Sequence, residues 1–224
     1  MALTSGNSCI EVEPLGGAKA SVILLHGGGG DNREFLDLLE NFAPPGGCTR
    51  FILPNAPRRR LTLFGGAVMR AWYDVVHADL QQDEDEAGVC RSGRRLQNLI
   101  ERERRRGIPS NRIVVGGFSQ GGAMALYVGA RYPEPLAGLI ALSAYLPLMQ
   151  GEGVHCPSGC HQHPPVYIGH GQEDDLVPID LARQGASRLA HAGHCVRFTA
   201  FDMGHEICPR ELVSVKSWLE KVLP

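Results

Sequence analysis

Ile113-Val-Val-Gly-Gly-Phe-Ser-Gln-Gly-Gly-Ala-Met-Ala-Leu-Tyr-Val-Gly-Ala-Arg131 is the stretch on which the reading of this chain turns. Its first residues, Ile113-Val-Val115, read as a buried strand, and Ala123 to Arg131 reads as a helix. Between them lies Gly117-Phe118-Ser119-Gln120-Gly121, a G-x-S-x-G. A turn from strand to helix is so tight that side chains flanking the serine would clash, so glycines flank it. The hydroxyl then projects from the strand end. The helix start brings free backbone N–H groups and a positive dipole end to the same place. Strand before and helix after distinguish this motif from a glycine-rich packing turn.

Further short apolar runs recur on both sides. They are Ser21-Val-Ile-Leu-Leu25, Arg50-Phe-Ile-Leu53, Leu136 to Leu142, Val166-Tyr-Ile168 and Cys195 to Phe201. Continuous rather than alternating apolar runs suit strands buried on both faces of a parallel sheet. Helical patterns separate them: Asn32 to Phe42, about Glu84 to Arg106, and a C-terminal stripe of Leu212, Val215, Leu219 and Val222, with Pro209 pre-set for a first turn. Alternating strands and helices predict an α/β fold around a mainly parallel central sheet flanked by helices. With no internal repeat and no linker-like shift in composition, residues 1–224 are expected to be one domain.

A serine hydroxyl is a poor nucleophile until a base, held by a third group, takes its proton. In strand–turn–helix serine enzymes the partners follow in the order acid, then histidine. After Val166-Tyr-Ile168 comes His170-Gly-Gln-Glu-Asp-Asp175, in which Asp174 and Asp175 both qualify as the acid, with Glu173 behind. After the last apolar run comes Asp202-Met-Gly-His205, and His205 fits the base. His191 and His194 precede that run, at its wrong end, and read as solvated loop residues. His26, at the end of an early strand, reads as structural. His26-Gly-Gly-Gly-Gly30 lets backbone amides approach a ligand, so the oxyanion donors are expected to be the N–H groups of Gly28 and Gln120. A nucleotide loop is disfavoured, because Asn32 stands where G-x-G-x-x-G needs its third glycine and no Lys-Ser or Lys-Thr follows.

Composition excludes several classes. The net charge of −2 speaks against a nucleic-acid binder. The uncharged runs Ile113–Ala130 and Pro135–Gln150 fall short of the ~20 residues of a membrane span. Seven cysteines, an odd number at wide spacing in a chain long enough to need no staples, point to free thiols in a reducing, cytoplasmic setting. The start has no basic region before an apolar core, so no signal peptide is expected. Glycine is abundant, 28 of 224 residues, without a repeat to account for it, and belongs in tight turns. His155, Cys156, Cys160, His161 and His163 crowd together, but their spacing matches no standard zinc finger, and no metal is expected. Arginines at 91, 94, 95, 102, 104, 105 and 106 form a basic helical face. With Arg58-Arg-Arg60 they could touch a membrane surface transiently.

Taken together, ordered blocks along the chain resemble the acyl-protein thioesterases and the related lysophospholipase-like carboxylesterases of the α/β-hydrolase superfamily. Leu25-His-Gly27, Leu53-Pro-Asn-Ala-Pro57, Ala71-Trp-Tyr-Asp74, Gly116 to Gly122, Ala141 to Pro147, His170-Gly171, Leu176-Val-Pro178 and Gly204-His205 carry the resemblance, which spans about Ala20 to Pro224. It implies an α/β-hydrolase fold without a large lid domain, Ser119 as nucleophile, His205 as base, and Asp174 rather than Asp175 as acid. It also implies S-acylated proteins, lysophospholipids or small esters as substrates, no cofactor, a monomer or weak homodimer, and Leu61, Leu63, Phe64 and Trp72 beside the acyl group. Two departures stand out: four glycines follow His26 where a bulkier residue is usual, and Tyr145 replaces a usual Trp.

Overall fold

A computed structural model of the chain describes residues 2–6, 8–43, 47–149 and 163–223. Two N-terminal strands, β1 (Ala2–Gly6) and β2 (Cys9–Glu13), precede β3 (Ala20–Leu25). Two short helices, α1 (Arg33–Leu36) and α2 (Leu39–Phe42), lead to β4 (Thr49–Pro54). A separate hairpin, β5 (Arg58–Leu61) and β6 (Ala67–Arg70), comes before the long helix α3 (Glu86–Arg105). Then follow β7 (Ile113–Phe118), α4 (Gln120–Gly129), β8 (Gly138–Leu142) and β9 (Val166–Gly171). The chain closes with α5 (Ile179–His191), β10 (Val196–Phe201) and α6 (Pro209–Val222).

Eight strands form one sheet in the order β1-β2-β4-β3-β7-β8-β9-β10. From β4 to β10 every neighbour is parallel, while β2 pairs antiparallel with both β1 and β4. The inner strands are the continuous apolar runs: every residue of β3, β8 and β9 is buried. Such strands need cover on both faces. One face packs Val89, Leu96 and Ile100 of α3 with α4 and with Ala182 and Leu189 of α5. The other packs Phe35 and Leu39 with Leu212, Val215, Trp218 and Leu219 of α6.

Several local expectations change. The single helix anticipated over Asn32–Phe42 is two, because the Leu38 and Asn41 amides bond three residues back, to Phe35 and Leu38 carbonyls, and tighten the turn between them. The basic face of α3 is only partly solvated: Arg102 and Arg106 pair with Glu11 on β2, and Arg104 with Glu101 and Glu134. His194 is buried rather than solvated, its Nδ1 lying 2.9 Å from the Pro164 carbonyl. Of the Cys/His-rich segment, His155, Cys156, Cys160 and His161 lie outside the described residues; His163 is described and packs its ring on His194.

Candidate active site

Ser119 stands between β7 and α4 with φ 53° and ψ −123°, a sparsely populated backbone region for a residue with a side chain. Its amide bonds the Leu142 carbonyl at 2.8 Å, and its own carbonyl accepts from Ala123 at 3.0 Å, so both sides of the turn are anchored. The flanking glycines are required by contact. A Cβ on Gly121 would lie 2.0 Å from the Leu25 carbonyl oxygen, and one on Gly117 2.5 Å from the same atom. As the first residue of α4, Gln120 carries an N–H with no partner inside the helix.

β9 and β10 end beside this turn. Asp174 follows β9 and His205 follows β10, and their loops press together at Gly171, where a Cβ would meet the Gly204 oxygen at 2.2 Å. His205 Nε2 lies 3.0 Å from Ser119 Oγ, across 86 positions of sequence, and His205 Nδ1 lies 2.8 Å from Asp174 Oδ2. The other carboxylate oxygen of Asp174 accepts from the Val177 amide at 2.8 Å and the Leu176 amide at 3.1 Å. Burial raises the Asp174 carboxyl, but the hydrogen bonds from His205 and Val177 and the nearby rings outweigh it and hold the group below its ordinary value. Asp175 and Glu173, the alternatives, are exposed.

A second imidazole borders the same carboxylate. His170, wholly buried, places Nε2 2.8 Å from the Val177 carbonyl and 3.4 Å from Asp174 Oδ2. Burial depresses its pKa, so it remains neutral and donates to the carbonyl. Sequence alone pointed to His170 as a fold landmark, not as a neighbour of Asp174.

The loop after β3 lies against this corner. Gly28 lines the same cleft as Ser119 and His205, and a Cβ on it would sit 3.3 Å from Gln120 Cδ. Gly29 adopts φ +85°, open to glycine, and its amide bonds the Arg70 carbonyl at 2.8 Å. His26 is structural in its geometry: Nδ1 lies 2.7 Å from the Gly27 carbonyl and Nε2 accepts the Ala56 amide at 3.0 Å. The Gln120 side chain spans to the neighbouring strap, accepting the Trp72 amide at 3.0 Å and donating to the Tyr73 carbonyl at 3.2 Å.

The cleft beside Ser119 has a volume of about 250 Å³ and is walled chiefly by apolar side chains. Leu61, Leu63 and Phe64 line it. Trp72 does not. At the bend over residues 72–73 it is Tyr73 that faces the cleft while Trp72 is buried behind it, tilted on His26 and donating Nε1–H to the His26 carbonyl at 2.8 Å. Lining residues that the sequence did not point to include Tyr73, Val75, Leu80, Tyr145 and Leu176, with Glu34, Phe118 and Val177. Tyr73 donates to the Tyr145 hydroxyl at 3.2 Å, and burial raises both phenols, so both stay protonated. Leu63, Phe64 and Leu176 remain largely exposed at the mouth.

Comparison with known proteins gives a consistent result. The family model for phospholipases and carboxylesterases matches residues 7–223. Acyl-protein thioesterase 1 of Neurospora crassa is 37% identical over 215 residues, covering 92% of this chain and 87% of that protein. Acyl-protein thioesterase 1 of Mycosarcoma maydis is 35% identical over 231 residues, covering 95% of this chain and 96% of its own. Among solved structures, Arabidopsis thaliana SOBER1 superposes with a TM-score of 0.86 at 27% identity, covering 92% of this chain and all of that one. Zea mays acyl-protein thioesterase 2 gives 0.82 at 30% identity, with 96% and 99% covered.

Proposed function

Because the chain belongs to the phospholipase/carboxylesterase family, we propose that residues 1–224 act as one α/β-hydrolase domain that removes acyl groups from S-acylated proteins through Ser119, His205 and Asp174. Lysophospholipids and small esters are further substrates in this proposal. The observation that carries it is the single imidazole of His205 bridging the Ser119 hydroxyl at 3.0 Å and the Asp174 carboxylate at 2.8 Å.

In this mechanism His205 Nε2 takes the Ser119 proton as Oγ attacks the acyl carbonyl. Asp174, held ionised by its hydrogen bonds, keeps the Nδ1–H oriented and stabilises the imidazolium. The amides of Gly28 and Gln120 receive the oxyanion, and the collapsing intermediate expels the thiolate or alcohol, which leaves with the proton from His205. A water deprotonated by His205 then attacks the acyl-serine and releases the fatty acid. A thiol of pKa about 8.5 leaves with less acid help than an alcohol, so one site serves thioesters and esters. The residues supply every proton transfer, so no cofactor enters the scheme.

The exposed Leu63 and Phe64, flanked by Arg58 and Arg60 on the hairpin, suit transient contact with an anionic lipid surface, where acylated cysteines reside. Cys9, Cys90, Cys195 and Cys208 are free thiols, which suits a reducing cytoplasmic setting. Among the described residues no helix is long and apolar enough to cross a membrane.

A fluorophosphonate probe and a palmitoyl-thioester peptide test the proposal. Wild type should take the label and Ser119→Ala should not, with turnover lower by at least about 10⁴ and unchanged circular dichroism. Retained labelling or turnover in Ser119→Ala overturns it. Lysophosphatidylcholine and short p-nitrophenyl esters in the same assay rank the ester substrates.

A further inference from the structure

β9 ends on His170 and Gly171, held on one side by β8 and on the other by β10. The acid comes four residues after His170, in a loop beyond the sheet. His170 is wholly buried, and the acyl transfer described above gives it no proton to carry. Resting on that reading of the triad, we infer that His170 is a positioning residue for Asp174. Its Nε2–H ties the Val177 end of the acid's loop to β9, fixes the rotation of the carboxylate, and draws negative charge from the oxygen that serves His205.

The hydrogen bonds close a circuit. His170 Nε2 lies 2.8 Å from the Val177 carbonyl, and the Val177 amide lies 2.8 Å from Asp174 Oδ1. Val177 is thus gripped twice, its oxygen by the strand and its N–H by the acid, and Asp174 cannot swing away without breaking one of the two. The carboxylate is divided in the same way. Oδ1 takes the Leu176 and Val177 amides, while Oδ2 faces two imidazoles, His205 Nδ1 at 2.8 Å and His170 Nε2 at 3.4 Å. Burial raises the Asp174 carboxyl, and His170 is one of the groups, after His205 and Val177, that bring it below its ordinary value. The tautomer follows from the neighbours. Both groups within reach of Nε2 are acceptors, so the ring proton sits there. Nδ1 is left as a bare acceptor, buried and without a hydrogen-bond partner among the described residues. An unanswered buried acceptor costs stability, so a ring needed only to fill space would serve better as an apolar one. The charged and titratable groups that act on His170 are Asp174, His205 and, from α5, Arg183. Burial outweighs the Val177 carbonyl and Asp174, and the ring stays neutral. A neutral donor orients the carboxylate without competing with His205 as its counter-ion.

The test is a pH series of kcat and KM on a p-nitrophenyl ester for wild type, His170→Phe and His170→Gln, and for His170→Phe combined with Asp174→Asn. Near-ultraviolet circular dichroism gives the folded fraction of each protein. His170→Phe should lower kcat about tenfold, the worth of one neutral hydrogen bond. KM should stay within about threefold by the same measure, because the ring does not line the cleft. The acidic limb of kcat/KM should move up by about half a unit, since a carboxylate freed of this donor holds the His205 imidazolium more firmly. His170→Gln keeps an N–H donor and should return most of kcat and the wild-type limb. Added to Asp174→Asn, His170→Phe should cost less than about twofold more, because its effect passes through Asp174. A full-rate His170→Phe, an unmoved limb, His170→Gln no better than His170→Phe, or an undiminished loss in the Asp174→Asn background overturns the inference while leaving the triad standing. Wild-type turnover in Asp174→Asn alone overturns the triad reading, and this inference with it. If His170→Phe does not fold, nitrogen-15 spectra of histidine-labelled wild type decide. They should show His170 with Nε2 protonated and Nδ1 bare at every pH from about 6 to 9; a ring that titrates in that range, or carries its proton on Nδ1, overturns the inference.

Discussion

Glu211→Gln should stabilise the protein above about pH 8 and change little near pH 5. Glu211 lies in the first turn of α6, fully buried, with its Oε1 2.0 Å from where a Cβ of Gly169 would stand. Neither carboxylate oxygen finds a hydrogen-bond partner among the described residues. Burial pushes its carboxyl from an ordinary 4.5 up to about 8. Between those values the folded protein keeps a proton that the unfolded chain releases. Stability from this group is therefore full below the unfolded value, falls as pH rises through the window, and levels off above about 8. At 1.36 kcal/mol per unit the window corresponds to a ceiling of about 5 kcal/mol. The positive N-terminal end of α6 favours the carboxylate and trims that figure. Glutamine has the shape of the protonated acid and does not titrate. Urea unfolding followed by circular dichroism, run on both proteins near pH 5, 6.5 and 8.5, reads the difference directly. Near-equal midpoints at the lowest pH and a variant advantage of several kcal/mol at the highest are expected. A difference that stays constant across the three would show that Glu211 does not hold its proton in the fold.

Three further outcomes follow from the site. Asp174→Asn should lower kcat by about 10⁴, while exposed Asp175→Asn stays within about threefold by the same assay; the reverse ranking would move the acid. Acyl chain length should raise kcat/KM about fourfold per methylene, the equivalent of ~0.8 kcal/mol, until the 250 Å³ cleft is full at about ten carbons. A p-nitrophenyl ester series that keeps climbing to sixteen carbons would contradict a cleft of that size. Gly121→Ala, with its Cβ driven to 2.0 Å from the Leu25 carbonyl, should yield protein lacking both the near-ultraviolet dichroism of a packed core and esterase activity.

The inner strands were legible because burial on both faces leaves an unbroken apolar run, and β3, β7, β8 and β9 all begin within two residues of such runs. The outer elements were not. β2 alternates buried Ile10 and Val12 with partly exposed Cys9, Glu11 and Glu13, a period-two signal too short to stand out. β5 is three arginines and a leucine, a charge run that becomes a strand only because β6 pairs with it. α5 carries few large apolar residues, and Gly185 lies inside it where Leu146 packs close. The site shows the same division. Ser119, Asp174 and His205 lie at strand ends whose order along the chain is readable. Which of two adjacent residues on the 71–73 strap faces the cleft depends on the orientation of the strap, and there Trp72 and Tyr73 exchange places. His194, a polar side chain in a loop, found its cover in the Pro164 carbonyl, a contact between segments that no local pattern announces.

In the proposed mechanism the three partners, Ser119, His205 and Asp174, do not share equally protected footing. The serine's turn hangs from β7, gripped on both flanks in the middle of the sheet, whereas the imidazole follows β10, an edge strand, whose residues are half open to solvent. Fraying that begins at that margin would scatter the relay while the interior still stands intact. Warming or mild denaturant should thus silence the enzyme well before its spectroscopic signature of foldedness fades, and activity becomes the most sensitive gauge of the molecule's weakest edge.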